Sequence, residues 1–130
     1  SGQLVNISNR VSAMPTVLIL DDDPLIALDL AMTVEDDGAD AVVAGSLVDT
    51  RKLDLNNLDV AILDVNIGPF TSYAFARLLL NAGVPVAFVS GSQRSDIPAD
   101  LSHVLFLAKP CSHSKVLEFI HYAVPSVAQH

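Results

Sequence analysis

Val17-Leu18-Ile19-Leu20-Asp21-Asp22-Asp23-Pro24 is an apolar run that stops abruptly in three carboxylates and a proline. Four consecutive apolar residues, two of them β-branched, point to a strand covered on both faces, because a half-exposed strand would alternate with polar residues. Asp23 can cap a helix, and Pro24 suits its first turn, where a missing N–H costs nothing. The chain should therefore pass from a buried strand directly into a helix running through Leu25, Leu28 and Met32 and ending near Gly38.

Runs like the first strand, Thr16 to Leu20, recur at Ala41 to Ala44, Val60 to Leu63, Pro85 to Val89 and Val104 to Leu107. Helix-like stretches separate them. Ser46 to Asn57 gives a weak second helix. Thr71 to Asn81, with Phe75, Leu78 and Leu79 on one face and Gly83 closing it, gives a third, and Ser114 to Ala123 follows Pro110 as the last. Between Val89 and Val104, Ser90-Gly91-Ser92-Gln93 and Pro98 leave room only for a short or irregular fourth helix. The alternation predicts an α/β three-layer sandwich around a five-stranded parallel sheet.

At 130 residues the chain can hold one ordinary domain, and with 51% hydrophobic and only 17% charged residues it should bury a full core. Residues 1–15 form a polar lead-in without a sustained period, residues 16–125 the domain, and 126–130 a short tail. A net charge of −8, from 15 acidic and 7 basic residues, argues against direct binding to nucleic acid. No apolar run approaches the ~20 residues of a membrane span, and the single Cys111 cannot form an internal disulfide, so a cytoplasmic location is expected.

Ala61-Ile62-Leu63-Asp64 brings a second strand to a carboxylate. Ligands of open α/β sheets bind beyond the carboxyl ends of the strands where strand order reverses. In the order 2-1-3-4-5 that point lies between the first and third strands, which would gather Asp21, Asp22 and Asp64. Such carboxylates repel one another unless a cation neutralises them, and Mg²⁺ suits oxygen donors while leaving positions for phosphate oxygens. Ser90 ends the fourth strand with a hydroxyl, and Lys109 follows the fifth with an ammonium, both useful for stabilising a transferring phosphoryl group.

Leu20-Asp21-Asp22-Asp23-Pro24, Leu63-Asp64, Ser90-Gly91 and Lys109-Pro110, in this order, resemble the motifs of response-regulator receiver domains of two-component systems, over roughly residues 16 to 123. The resemblance implies a flavodoxin-like, CheY-like fold and a stand-alone regulator acting as a signalling protein that promotes its own phosphorylation and dephosphorylation, not as an enzyme on a separate substrate. Asp64 would accept the phosphoryl group from a sensor histidine kinase or a histidine phosphotransfer protein. Asp21, Asp22, Asp64 and the Asn66 carbonyl would hold Mg²⁺, Ser90 and Lys109 would bind the phosphoryl group, and a downstream protein target would read the result. Ser90 and Phe106 would form the switch, Asn66 and Ser92 would tune a short to moderate phosphate lifetime, and the Lys109-Pro110 bond would be cis.

Asp64-Val65-Asn66-Ile67-Gly68 and Val84-Pro85-Val86-Ala87-Phe88-Val89-Ser90-Gly91 further resemble a subgroup of single-domain alphaproteobacterial receivers with a Phe-Ala-Thr-Gly-like motif. The chain departs from the common pattern in three ways. Gly68 and Ser72 stand where most receivers place Pro and Gly, the Asp64–Ser90 and Ser90–Lys109 spacings are short, and Phe106 lacks the hydroxyl of the commoner Tyr.

Two rival readings fit parts of the sequence. A haloacid-dehalogenase-like phosphatase would use Asp21 and Asp23 as its Asp-x-Asp, and a pseudo-receiver would share the fold and bind partners without phosphorylation. His103, His113, His121 and His130 show no ligand spacing with Cys111 and suggest no zinc site.

Overall fold

The computed structural model describes residues 14–91 and 96–124. Ser92, the lead-in through residue 13 and the tail 126–130 lie outside the described residues. In chain order the elements are β1 (Thr16–Leu20), α1 (Pro24–Asp36), β2 (Asp40–Ala44), α2 (Leu47–Thr50), β3 (Val60–Asp64), β4 (Asn66–Ile67), β5 (Phe70–Thr71), α3 (Tyr73–Asn81), β6 (Val86–Ser90), β7 (Leu105–Ala108) and α4 (His113–Ala123). Short 3₁₀ turns add Leu55–Asn57 and Ala99–Leu101.

The main sheet has the order β2-β1-β3-β6-β7, with every neighbouring pair parallel. Setting aside the two-residue strands β4 and β5, this is the 2-1-3-4-5 order of a flavodoxin-like fold, with strand order reversing at β1 and β3. Every residue of β3 and β6 is buried. Their continuous apolar runs follow from helices on both faces, and alternate residues feed two separate cores. Leu18, Leu20, Leu63 and Phe88 pack with Phe75 and Leu79 of α3 on one side. Val17, Ile19, Ile62 and Val89 pack with Leu30 and Val34 of α1 and with Val116 and Ile120 of α4 on the other.

Asp23 caps α1, accepting from the N–H groups of Leu25 (2.9 Å) and Ile26 (3.4 Å). The helix buries a face other than the one its large residues suggest. Leu25, Leu28 and Met32 are 76%, 56% and 55% exposed. The packed stripe is Ala27, Leu30, Ala31 and Val34, whose small members let the helix sit close to the sheet. Similarly, α3 buries Phe75, Ala76 and Leu79 and leaves Leu78 exposed.

The single helix expected over Ser46 to Asn57 is divided. Ser46 accepts from the Asp49 N–H (3.1 Å) to start α2, which ends at Thr50, and Asp54 accepts from the Asn56 N–H (3.0 Å) to start a separate 3₁₀ turn. Such side-chain caps offer the backbone local partners that compete with a continuous helix. Thr71, expected in the third helix, belongs instead to an antiparallel hairpin in which Asn66 faces Thr71 and Ile67 faces Phe70.

Between Gly91 and His103 the described residues hold a 3₁₀ residue at Asp96 and the separate 3₁₀ turn Ala99–Leu101, and residues 92–95, where the short or irregular fourth helix is expected to begin, lie outside the described residues. Side chains of α3 hold this segment. Tyr73 donates through its hydroxyl to the Asp96 carbonyl (3.2 Å), and Arg77 forms a bidentate pair with Asp100 (2.7 and 3.0 Å). On the other face, His113 and His121 of α4 bridge Asp29 (2.7 Å) and Asp37 (2.6 Å) along α1. Among the described residues no helix is long and apolar enough to cross a membrane.

Candidate functional site

The strand ends do what the topology requires. Asp21 and Asp22 leave β1, Asp64 ends β3, Ser90 ends β6 and Lys109 follows β7. The Asp21 N–H donates to the Ala44 carbonyl (3.1 Å), extending the β1–β2 ladder one residue into the site, so this carboxylate rides on rigid backbone. Asp21, Asp22 and Asp64 present carboxylate oxygens within 4.8 Å of one another.

Lys109 reaches into this cluster. Its Nζ lies 2.7 Å from Asp64 Oδ2 and 3.1 Å from Asp21 Oδ2. Both carboxylates are buried, so water does little to screen them and the ammonium is their main local compensation. Burial pushes the Asp64 carboxyl above its ordinary value, assisted by the negative charge of Asp21, against the hydrogen bond and charge of Lys109 and the Asn66 N–H. Burial works to lower Lys109 in turn, yet its hydrogen bonds to Asp64 and Asp21, and their charges, hold it above the usual ammonium range. A charged lysine and a carboxylate with a taste for a positive partner therefore face each other at the strand ends.

Local backbone donors orient the acids. The Asp23 N–H donates to Asp21 Oδ1 (2.9 Å), the Asn66 N–H to Asp64 Oδ1 (3.2 Å), and the Gly68 N–H to Asp22 Oδ2 (2.7 Å). Ser72, fully buried, donates through Oγ to the Asp64 carbonyl (2.6 Å) and fastens the backbone of this residue from below. In the sequence Ser72 stands out only as a departure from the receiver pattern, with no role attached. A hydroxyl eight residues after a strand-ending acid was the available signal.

One positive charge sits among three carboxylates, and each acid retains lone pairs beyond its hydrogen bond to the chain. That donor set of hard oxygens fits Mg²⁺, which asks for one or two carboxylates and otherwise keeps water. Asp21, Asp22 and Asp64 could hold it.

Ser90 is buried at its strand end, and its carbonyl accepts from the Lys109 N–H (2.9 Å), so the hydroxyl residue and the lysine are tied through the main chain. The Lys109-Pro110 peptide is cis. Phe106 is half-buried on β7, opposite Phe88 and against the same core cluster as Leu101 and Val104. Asn66 is exposed in β4. Asp23, the second acid of the phosphatase-like alternative, is committed to capping α1, which weighs against an Asp21/Asp23 pair acting together.

No protein-family model matches the chain, and no curated protein matches it closely. Solved structures do. A CheY-like response regulator receiver domain protein from Methanospirillum hungatei JF-1 aligns with a TM-score of 0.75 at 18% identity, covering 90% of this chain and 98% of its own. The Francisella response regulator 1452 receiver domain aligns at 0.71 and 24% identity, covering 85% and 97%. The chemotaxis response regulator CheY4 of Vibrio cholerae aligns at 0.69 and 20% identity, covering 85% and 99%. At such identities the likeness speaks for the fold: the chain has the CheY-like fold of response-regulator receiver domains.

Proposed function

We propose that this receiver fold serves two-component signalling: Asp64 accepts a phosphoryl group from a histidine kinase or histidine phosphotransfer protein, and the domain changes its protein-binding surface in response. The observation that carries the reading is the contact of Lys109 with both Asp21 and Asp64 beside Asp22, at the point where strand order reverses. Few other chemistries would use a fixed ammonium, an acid cluster and a buried strand-end hydroxyl together.

Asp64 acts as the nucleophile: one carboxylate oxygen forms a bond to phosphorus as the donor's bond breaks, and the donor departs with that electron pair. Asp21, Asp22, Asp64 and the Asn66 carbonyl would hold Mg²⁺, which would neutralise charge on the acids and the phosphoryl oxygens. Lys109 turns from the bare carboxylate to the new phosphoryl oxygens, and Ser90 donates its hydroxyl to them. Phe106 follows into the space that Ser90 leaves, which alters the face of β6, β7 and their connection. Water later cleaves the acyl phosphate and restores Asp64, at a rate set in part by Asn66 and Ser92. The domain thus promotes its own modification and its reversal, and works on no separate substrate.

The same proposal places the protein in the cytoplasm. Membership of the alphaproteobacterial subgroup rests on the Asp64–Gly68 and Val84–Gly91 stretches. The reading holds whether the domain acts alone or within a longer protein.

The test is incubation with Mg²⁺ and a small phosphodonor, followed by intact-mass measurement of wild type, Asp64→Asn and Asp21→Asn, with hydroxylamine to expose an acyl phosphate. A hydroxylamine-sensitive adduct that disappears in Asp64→Asn is expected. An adduct that persists in Asp64→Asn but vanishes in Asp21→Asn would point to phosphatase-like chemistry, and Mg²⁺ binding without any adduct would point to a pseudo-receiver.

A further inference from the structure

Among the three clustered acids, Asp21 and Asp64 are fixed by burial and by Lys109, whereas Asp22 is exposed. An exposed aspartate normally samples several rotamers, and confining it costs conformational entropy at the moment it is used. Here its carboxylate reaches across 46 positions of sequence to the turn of the β4–β5 hairpin, where the Gly68 N–H donates to it at 2.7 Å. Hydrogen bonds to a charged acceptor are among the stronger kind.

The hairpin is itself anchored. Ile67 is buried in the core cluster that contains Phe75 and Leu79, and the Ser72 N–H closes the base of the hairpin onto the Val65 carbonyl (2.8 Å). Gly68 holds φ +59°, in the left-handed region, and this conformation sets the direction of its N–H. A Cβ added there would meet nothing within 4 Å, so the position selects for backbone conformation and not for space.

We propose that the β4–β5 hairpin is a positioning element for the divalent cation, with Gly68 presetting Asp22 as a ligand through its backbone N–H. The inference rests on the receiver reading of the acid cluster and extends it. The same hairpin carries Asn66, so one anchored unit would set both a ligand and the brace of another. A single N–H occupies part of one carboxylate oxygen and leaves lone pairs for the cation. Groups that orient metal ligands in this way are typically worth about 10–100-fold in metal affinity.

The test uses the whole chain, freed of metal with chelator and titrated with Mg²⁺ by calorimetry, with thermal unfolding measured in parallel. Gly68→Val, whose β-branched side chain resists positive φ, is expected to bind Mg²⁺ about 10-fold or more weakly. Gly68→Ala, whose Cβ would meet nothing within 4 Å but is still disfavoured at positive φ, is expected to fall between wild type and Gly68→Val. Introducing Gly68→Val into an Asp22→Ala background should produce no further loss, because the two changes share one route. If Gly68→Val does not fold, Gly68→Ala carries the same comparison. Unchanged affinity in Gly68→Val, or an equal loss in the Asp22→Ala background, overturns the inference and leaves the receiver reading intact. A wild-type chain that binds no Mg²⁺ overturns the receiver reading itself, and this inference with it.

Discussion

Asp21 and Asp64 lie buried beneath one ammonium, while Asp22, next in sequence to one of them, stands exposed against a hairpin turn. The buried pair gains strong electrostatics at the cost of desolvation, a cost visible in the raised pKa of Asp64. The exposed acid keeps its water and is merely aimed. The contrast teaches that a highly charged site can be assembled from one strained part and one inexpensive part. Disturbing the first should register in stability, and disturbing the second in ligand binding.

The largest stability effect should come from Lys109→Met, which leaves two buried carboxylates facing each other without a cation. Urea denaturation in chelator near neutral pH should show a loss of about 3 kcal/mol, partly restored by Mg²⁺. A loss no greater than the ~0.5 kcal/mol of an ordinary surface substitution would erase the distinction between the two parts. Next is Ser72→Ala, which strands the Asp64 carbonyl without its buried hydroxyl partner and should cost about 1–2 kcal/mol by the same measurement.

A subtler effect concerns acid stability. The folded-state pKa of Asp64 is raised, so its protonated form is favoured by folding; that contribution is complete below the unfolded value of about 3.8 and is lost as pH rises through the folded value. Without metal, Asp64→Asn should therefore match wild type at low pH and gain on it as pH increases, before levelling off. An advantage greatest at low pH would reverse the assignment of which acid bears the desolvation. The smallest effect is expected for Asp22→Asn, whose stability in chelator should stay within about 0.5 kcal/mol of wild type even as Mg²⁺ affinity falls.

Much of this architecture was legible in the sequence. Continuous runs such as Val17 to Leu20 and Val60 to Leu63 are hard to place anywhere but in a sheet covered on both sides, and the acids that end them fall at the reversal of strand order by topology alone. The helix faces were less legible. In α1 the larger apolar residues Leu25, Leu28 and Met32 trace a plausible stripe, but close packing against the sheet favours the face bearing Ala27 and Ala31. The hairpin was missed because two-residue strands carry no measurable period. Only the Gly68-Pro69 pair between Ile67 and Phe70 marked a turn. Contacts such as Ser72 with the Asp64 carbonyl, or Gly68 with Asp22, depend on how loops return through space, and a linear pattern does not record that.

The bridges from α4 to α1 have a mechanical consequence. Asp29–His113 and Asp37–His121 each join residues 84 apart in sequence, so the two helices advance in step and in the same direction between them. They act like a key with two teeth. Sliding one helix past the other by a single turn, about 5.4 Å, would misalign both teeth together, so partial slippage gains nothing from keeping one. The register of the C-terminal helix against α1 is thus marked at two points at once, and a slip that loses one pair loses the other with it.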